Sequence, residues 1–512
     1  MNALAQARAP FHRRTQAPEA LPFATIEIRA SVAVIRLELP SPGLWDAQEQ
    51  QLFITSLTDL AARGDLTAIV VQGAALFAEK PGLATPDFRA VVEAVAGSPL
   101  PVIAAIAGDA IGVGLELALA CAGRVAARGG RFSFPDLRAG RLPTHGAIER
   151  LPRLIGMTRA SDLLIFNATL DADAALEAGL IDAIAGRDVV AAAIDLAHSG
   201  VGNARACRSD TIVLDSDKAD LFGVRLRVRR EAPDQTAPSV ALQALEAAAR
   251  LPVRRAMADT ARAAAALAKT DQAQALAYAA AGKATLERWG AEAAREVLAR
   301  RLRWPLLREA VHMLDEGATP SQLDRCLMAF GFSEGPFALS DRLGMAALFG
   351  VAADGAIPAD PWLCYSPTLD LMSDAHRHGG SSPGWYRRAE ASSHLTFDPE
   401  VARIIQASAT FQRICRQPMS DEVIAERCLL AAVNGAAELL QVEDNLTAPL
   451  LDAIWTVMLG FPAWKGGPLL QADRTGLDQV VEGLRKLQAK RNTAGAPCEI
   501  ILRCAARGEG LG

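Results

Sequence analysis

Two carboxylic acids stand out in the 512-residue chain because of what surrounds them. Glu116 lies in the apolar, glycine-punctuated run DAIGVGLELALACAGRVAA, and Asp136 follows Pro135 in FSFPDLRAGRLPTHGAIERLPRLIG. A carboxylate in apolar surroundings carries a desolvation cost unless it is paired or protonated. Two carboxylates beside one cavity can move protons to and from carbon and water. Taken singly, each also fits a structural role. Glu116 could be a buried acid bonded to a helix or turn N–H, and Asp136 a cap after the proline.

Acids used this way need a rigid frame. ATIEIRA and VAVIRLEL, between Ala24 and Leu39, read as a hairpin or meander. Trp45 to Arg63 has helical periodicity, and Leu66–Val71 and Pro101–Ile106 read as short buried strands. Strands alternating with helices predict an α/β layer architecture. Leu100 to Gly123 is apolar enough to suggest a membrane span, but Asp109, Glu116 and three glycines interrupt it. A buried strand, a glycine turn and a buried helix fit better. Beyond about Gly186 the texture changes. Gly200 to Pro238 is polar with short β-like pieces, and Ala237 to Gly290 is Ala-rich and helical. From Trp304 onward the chain reads almost wholly helical, broken by Gly/Pro turns and by HRHGGSSPGWY at 376–386.

The last third contains an internal repeat. Gly335-Pro336, Asp341 and Gly344 match Gly467-Pro468, Asp473 and Gly476 as G-P-x4-D-x2-G, each copy following a long amphipathic helix. The common order and spacing predict a duplicated helical domain.

Composition bounds the rest. With 51% hydrophobic residues, 22% charged residues and a net charge of −5, the chain reads as soluble and globular, without a basic footprint for nucleic acid. Its eight cysteines show no CxxC spacing, which argues against a zinc site and for reduced thiols. The first 21 residues lack an apolar signal region and read as a flexible leader, so a cytoplasmic location and no membrane span are expected.

Residues 22–190 resemble the crotonase (enoyl-CoA hydratase/isomerase) superfamily. The resemblance rests on FSFPDLRAGRLPTHGAIERLPRLIG followed by ALEAGLIDAIAG: a Phe, a Pro-acid pair, a glycine, a second Pro, a Gly-rich turn, an Arg-Leu and an Ala-Gly-Leu tail. It implies the α/β crotonase (ββα spiral) fold and a thioester carbonyl held between two backbone N–H groups that stabilise an enolate. It also implies that Glu116 and Asp136 activate water and deliver a proton to the neighbouring carbon. The family usually has Glu where this chain has Asp136, so the carboxyl retreats by about 1.5 Å, one carbon–carbon bond. The second oxyanion donor falls on Val113, where glycine is usual. For the first donor, a register keeping Phe77 places Pro81, which has no N–H, at the donor position. Either Lys80 or Gly82 donates instead, or half the oxyanion hole is missing, a loss of roughly 10²–10³ in rate. His145, where small residues are usual, is a possible additional polar group in the site.

The remaining residues resemble multifunctional β-oxidation enzymes, in which a crotonase half is fused to a 3-hydroxyacyl-CoA dehydrogenase half. The resemblance implies a mostly helical linker region over 191–295 and two dehydrogenase C-terminal-like helical units, 296–400 and 401–512. WPLLREAVHMLDEGATPSQLDRCLMAFGFSEGPFALSDRLG resembles the first unit, and ERCLLAAVNGAAELL through GFPAWKGGPLLQADRTG the second. The Rossmann domain those enzymes carry between linker and helical units has no counterpart. Ala279 to Arg303 contains no GxGxxG, and Gly112-Val113-Gly114 lacks the third glycine. The asparagine expected to open the helical domain falls on Arg300.

These features lead to an expected acyl-CoA enzyme of crotonase type. The leading reaction is hydration of a 2-enoyl-CoA with an unusual acyl group, in a β-oxidation-like degradation. No cofactor is expected to be held permanently, coenzyme A arrives with the substrate, NAD is expected not to bind, and no metal is implied. Double-bond isomerisation or carbon–carbon cleavage would share the enolate. A non-catalytic acyl-CoA-binding scaffold is the other alternative. Self-association or a thiolase-type partner is expected.

Overall fold

The computed structural model describes residues 24–37, 45–73, 87–200, 218–349, 366–388, 395–491 and 496–512. The expected leader, and the loop holding Lys80, Pro81 and Gly82, lie outside the described residues. The chain divides into two compact units, Met1–Ala268 and Lys269–Gly512.

In the first unit the chain runs β1 (Ala24–Arg29), β2 (Val32–Leu37), α1 (Ala47–Ala61), β3 (Ala68–Gln72), α2 (Arg89–Ala96), β4 (Val102–Ile106), β5 (Ala110–Ile111), α3 (Val113–Ala120), β6 (Gly123–Ala127) and β7 (Arg131–Ser133). A 3-10 turn (Asp136–Ala139) leads to α4 (Ala147–Ile155), α5 (Met157–Leu164), β8 (Thr169–Asp171), α6 (Ala172–Ala178), β9 (Ala183–Ala185) and α7 (Val189–Ser199). Helices α8 (Lys218–Glu231), α9 (Thr236–Ala248) and α10 (Val253–Leu267) complete the unit.

Six strands form one sheet in the order β1-β2-β3-β4-β6-β9, and β5-β7-β8 form a second. Strands β1 and β2 pair antiparallel, and the remaining neighbours in the large sheet are parallel. The alternation read from the sequence therefore gives the α/β fold expected. The central strands are apolar throughout: Val32–Ile35 and Val102–Ile106 are buried on both faces, as parallel strands covered by helices must be. Helix α1 is started by a capping box, in which Asp46 accepts from Glu49 N–H and Glu49 from Asp46 N–H.

One sequence expectation fails. Residues 218–231, within the stretch read as polar with β-like pieces, form helix α8. The alternation in VRLRVR misleads, because Leu221, Val224 and Val228 are the buried residues and their spacing is helical.

The second unit is helical around one core. Helices α11 (Asp271–Arg288), α12 (Glu292–Glu316), α13 (Pro320–Phe330) and α14 (Pro336–Leu343) open it. Leu302, Val311 and Leu314 of α12 pack in one cluster with Ile424, Cys428 and Trp455. The repeat seen in the sequence is a repeat of bonds. Asp324 accepts from Phe337 N–H (2.9 Å), Ala338 N–H (2.8 Å) and the Tyr386 hydroxyl (2.7 Å). Asp452 accepts from Leu469 N–H (2.9 Å), Leu470 N–H (2.9 Å) and the Tyr278 hydroxyl (3.1 Å). Each aspartate thus caps the helix that follows a Gly-Pro pair. Gly335 and Gly467 are fixed by this geometry, since a Cβ at either would overlap the aspartate. Asp341 and Asp473 then tie down later backbone, accepting from Trp385 N–H (2.7 Å) and Leu511 N–H (2.8 Å).

Candidate functional site

The small sheet aims both acids. Strands β5 and β7 are parallel, with Ala110 opposite Phe132 and Ile111 opposite Ser133. Gly112 follows β5 with φ 58° and ψ −129°, a conformation that favours glycine, and starts α3. Val113 therefore stands at the helix start, where the first N–H groups have no intrahelical acceptor. Glu116 lies in the first turn of α3. From β7 the chain passes Phe134 and Pro135 into the turn that begins with Asp136. The two acids leave the same end of two neighbouring strands and are 2% and 7% exposed.

Glu116 does not stand free. Its Oε1 accepts from His145 N–H (2.8 Å) and Ala147 N–H (3.1 Å). Its Oε2 lies 2.8 Å from His145 Nδ1. Ala147 opens α4, so Glu116 caps that helix with a negative charge, where the helix dipole favours one. The structural role considered for Glu116 is therefore real, and it brings His145 into the site. His145 Nε2 accepts from Phe88 N–H (3.3 Å), which assigns the ring proton to Nδ1 and makes Nδ1 the donor to Glu116. Asp87 Oδ1 lies 3.6 Å from the same Nε2. Burial pulls the imidazole pKa down, but the bond to Glu116 and the charges of Glu116 and Asp87 outweigh it and hold it above the usual 6.5.

Helix α4 joins this pair to a cavity. Arg150, nearly buried, donates from Nη1 to the His145 carbonyl (2.8 Å). Gly146 makes room for it: its φ is 106°, and a Cβ there would overlap the guanidinium. Arg150 lines a cavity of about 420 Å³ together with Leu119, Ala120, Thr144, Leu154 and Met257. Glu116, Asp136, His145 and Val113 do not themselves line it. Cys121 also lines it, but burial pushes its thiol up to about 12, which leaves no thiolate for nucleophilic chemistry near neutral pH. Glu149 is fully buried, accepts from the Thr260 hydroxyl of α10 (2.6 Å), and is pushed up to about 7 by burial.

The structure thus brings Glu116 and His145 into contact, sets Asp136 on the adjoining strand end and leaves Val113 at the helix start. Lys80, Pro81 and Gly82 are outside the described residues. Sequence reasoning missed Asp87, Phe88, Glu149 and Thr260. The one available signal was His145, a ring with two hydrogen-bonding nitrogens in a loop where small residues are usual. Among the described residues no group of three or more His, Cys, Asp or Glu could hold a metal ion. Among them, no helix is long and apolar enough to cross a membrane.

Comparison with known proteins agrees with this architecture. Residues 27–206 match the family described as enoyl-CoA hydratase/isomerase, and residues 298–387 match the 3-hydroxyacyl-CoA dehydrogenase C-terminal domain. The peroxisomal bifunctional enzyme of Danio rerio is 21% identical, with 89% of this chain and 93% of that protein covered. That alignment runs over 669 positions, more than the 512 residues of this chain, so part of the relative has no counterpart here. The Homo sapiens enzyme of the same name is 30% identical over 195 residues, 36% of this chain and 27% of that protein. This match spans about a quarter of the human enzyme's length. The crystal structure of an enoyl-CoA hydratase from Bacillus anthracis is 25% identical, covers 45% of this chain and 98% of that one, and has a TM-score of 0.33. Over residues 27–206 the chain is thus similar to the enoyl-CoA hydratase/isomerase family, and over residues 298–387 to the 3-hydroxyacyl-CoA dehydrogenase C-terminal domain.

Proposed function

We propose that this protein hydrates a 2-enoyl-CoA with an unusual acyl group, without dehydrogenase activity. The carrying observation is the placement of Asp136 and of the Glu116–His145 pair at the shared end of β5 and β7, beside the Val113 N–H. Water added across the double bond needs one group to take a proton from water and another to give one to carbon. A thioester oxygen on the Val113 N–H would hold the enolate charge between the two steps.

Two observations support the absence of dehydrogenase chemistry. Arg300, where the helical domain of such enzymes would open, lies inside the continuous helix α12 rather than after a dinucleotide-binding domain. The alignment with the zebrafish enzyme also needs more positions than this chain has residues.

The test is product analysis. Crotonyl-CoA and a set of branched and ring-bearing 2-enoyl-CoAs are incubated with the protein in ¹⁸O-water, and the products are analysed by mass spectrometry. The expected product is a 3-hydroxyacyl-CoA carrying one ¹⁸O, formed faster from a branched or ring-bearing substrate than from crotonyl-CoA. A shifted double bond without label, or a cleaved acyl chain, would replace hydration with one of the related reactions.

A further inference from the structure

Glu116 has little left to offer a substrate water. Its Oε1 is shared by two backbone N–H groups, and its Oε2 takes the imidazole N–H. Three donors already occupy its two oxygens, which leaves little room for a water to approach either one. The atom without a proton at the end of this chain of bonds is His145 Nε2. Its current partner, Phe88 N–H at 3.3 Å, is a long contact that a better donor can displace.

We propose that His145 is the base that takes the proton from water, and that Glu116 is a positioning residue that fixes the ring's tautomer and orientation. This rests on the hydratase reading of the site. The arrangement follows the logic of a base oriented by a carboxylate: the acid accepts from Nδ1–H, which leaves Nε2 basic, and it stabilises the imidazolium that forms. The surroundings of Nε2 suit both states of the ring. Neutral, it accepts from Phe88 N–H. Protonated, it has the Asp87 carboxylate 3.6 Å away.

The step balances. Nε2 takes one proton of water as the water oxygen bonds to C3 of the enoyl thioester. The C2–C3 π pair moves through C1 onto the thioester oxygen. The enolate then collapses and takes a proton at C2 from the Asp136 carboxyl, and the imidazolium proton returns to that carboxylate through solvent. One water is added, and both protein groups end as they began.

The charged groups facing the ring are Glu116 from α3, Asp87 from the segment before α2, and Arg150 from α4 through the His145 carbonyl. The two carboxylates favour the imidazolium. A histidine base therefore places the acidic limb of kcat/KM above pH 6.5.

The experiment uses the full chain and a turned-over 2-enoyl-CoA. The expected acidic limb lies above pH 6.5 and moves down in Glu116→Gln. His145→Ala should lose roughly 10²–10⁴ in kcat and recover part of it with added imidazole. An acidic limb below pH 6.5 in the wild type, or a His145→Ala variant within tenfold of wild type and without imidazole rescue, would overturn the proposal. Absence of all turnover would instead remove the hydratase reading. The dyad is then judged by NMR titration of the His145 ring in the free protein. A midpoint above 6.5 that falls in Glu116→Gln, with the neutral ring protonated at Nδ1, supports it. A midpoint unmoved by Glu116→Gln overturns it.

Discussion

Glu149 sits next to Arg150 on α4, fully buried, and burial pushes its carboxyl up to about 7 from the usual 4.5. Between those two values the native state holds a proton that the unfolded chain has released. The stabilisation from this group is complete below about pH 4.5 and is lost as the pH rises through about 7. Glutamine copies the protonated form and keeps an oxygen for the Thr260 hydroxyl. Glu149→Gln is therefore expected to weaken the fall in stability between pH 5 and 8 and to exceed wild type by about 1–3 kcal/mol at pH 8. Urea unfolding across that range is the check, and an unchanged pH slope would contradict it. Asp452, pushed up to about 7, and Asp324, to about 6, act in the same direction, so the slope should shrink rather than vanish. At this scale the sequence singled out Glu116 by its apolar, glycine-rich run and Asp136 by its place after Pro135. It could not show that Glu116 is engaged by His145 and Ala147. Those partners lie 29 and 31 residues away and meet it only once α3 packs against α4.

At the scale of elements, close approach constrains the site and the repeat alike. Gly146 combines φ 106° with a site that Arg150 fills, and Gly467 combines φ 135° with Asp452. Gly146→Ala and Gly467→Ala are each expected to destabilise the protein by about 1–3 kcal/mol. Gly64→Ala, where a Cβ would meet nothing within 4 Å, is expected to be nearly neutral. Thermal unfolding of the three variants checks this, and equal melting temperatures would contradict it. Gly146→Ala should also slow turnover, because Gly146 lies between the two backbone N–H groups that hold Glu116. Strands β1 to β4 and helix α1 were legible from residue pattern alone, whereas the Asp46–Glu49 capping box that starts α1 was found only in the structure. Helix α8 was not, because six residues of alternating Arg and apolar side chains satisfy a strand pattern while their buried members follow a helical one. The repeat was legible as glycines and prolines. Its reason, a buried aspartate capping each helix, lies 13 and 17 residues upstream of the first N–H it accepts from and outside the repeated motif.

At the scale of the whole molecule, the break between Ala268 and Lys269 falls inside an Ala-rich helical stretch. Nothing in composition marks it, because helices α10 and α11 on either side use the same small residues. The proposed loss of dehydrogenase function is tested on the intact chain by calorimetric titration with NADH. No saturable heat is expected, and saturable micromolar binding would overturn it. The central claim is that Asp136 and His145, with Glu116 orienting the imidazole, move protons on an acyl thioester beside the ends of β5 and β7. Its most direct test is hydration of a 2-enoyl-CoA, followed by loss of the enoyl thioester's ultraviolet absorbance, in wild type, Glu116→Gln and Asp136→Asn. The account predicts wild-type turnover and a loss of at least about 10² in each variant. Equal turnover in all three proteins would contradict it.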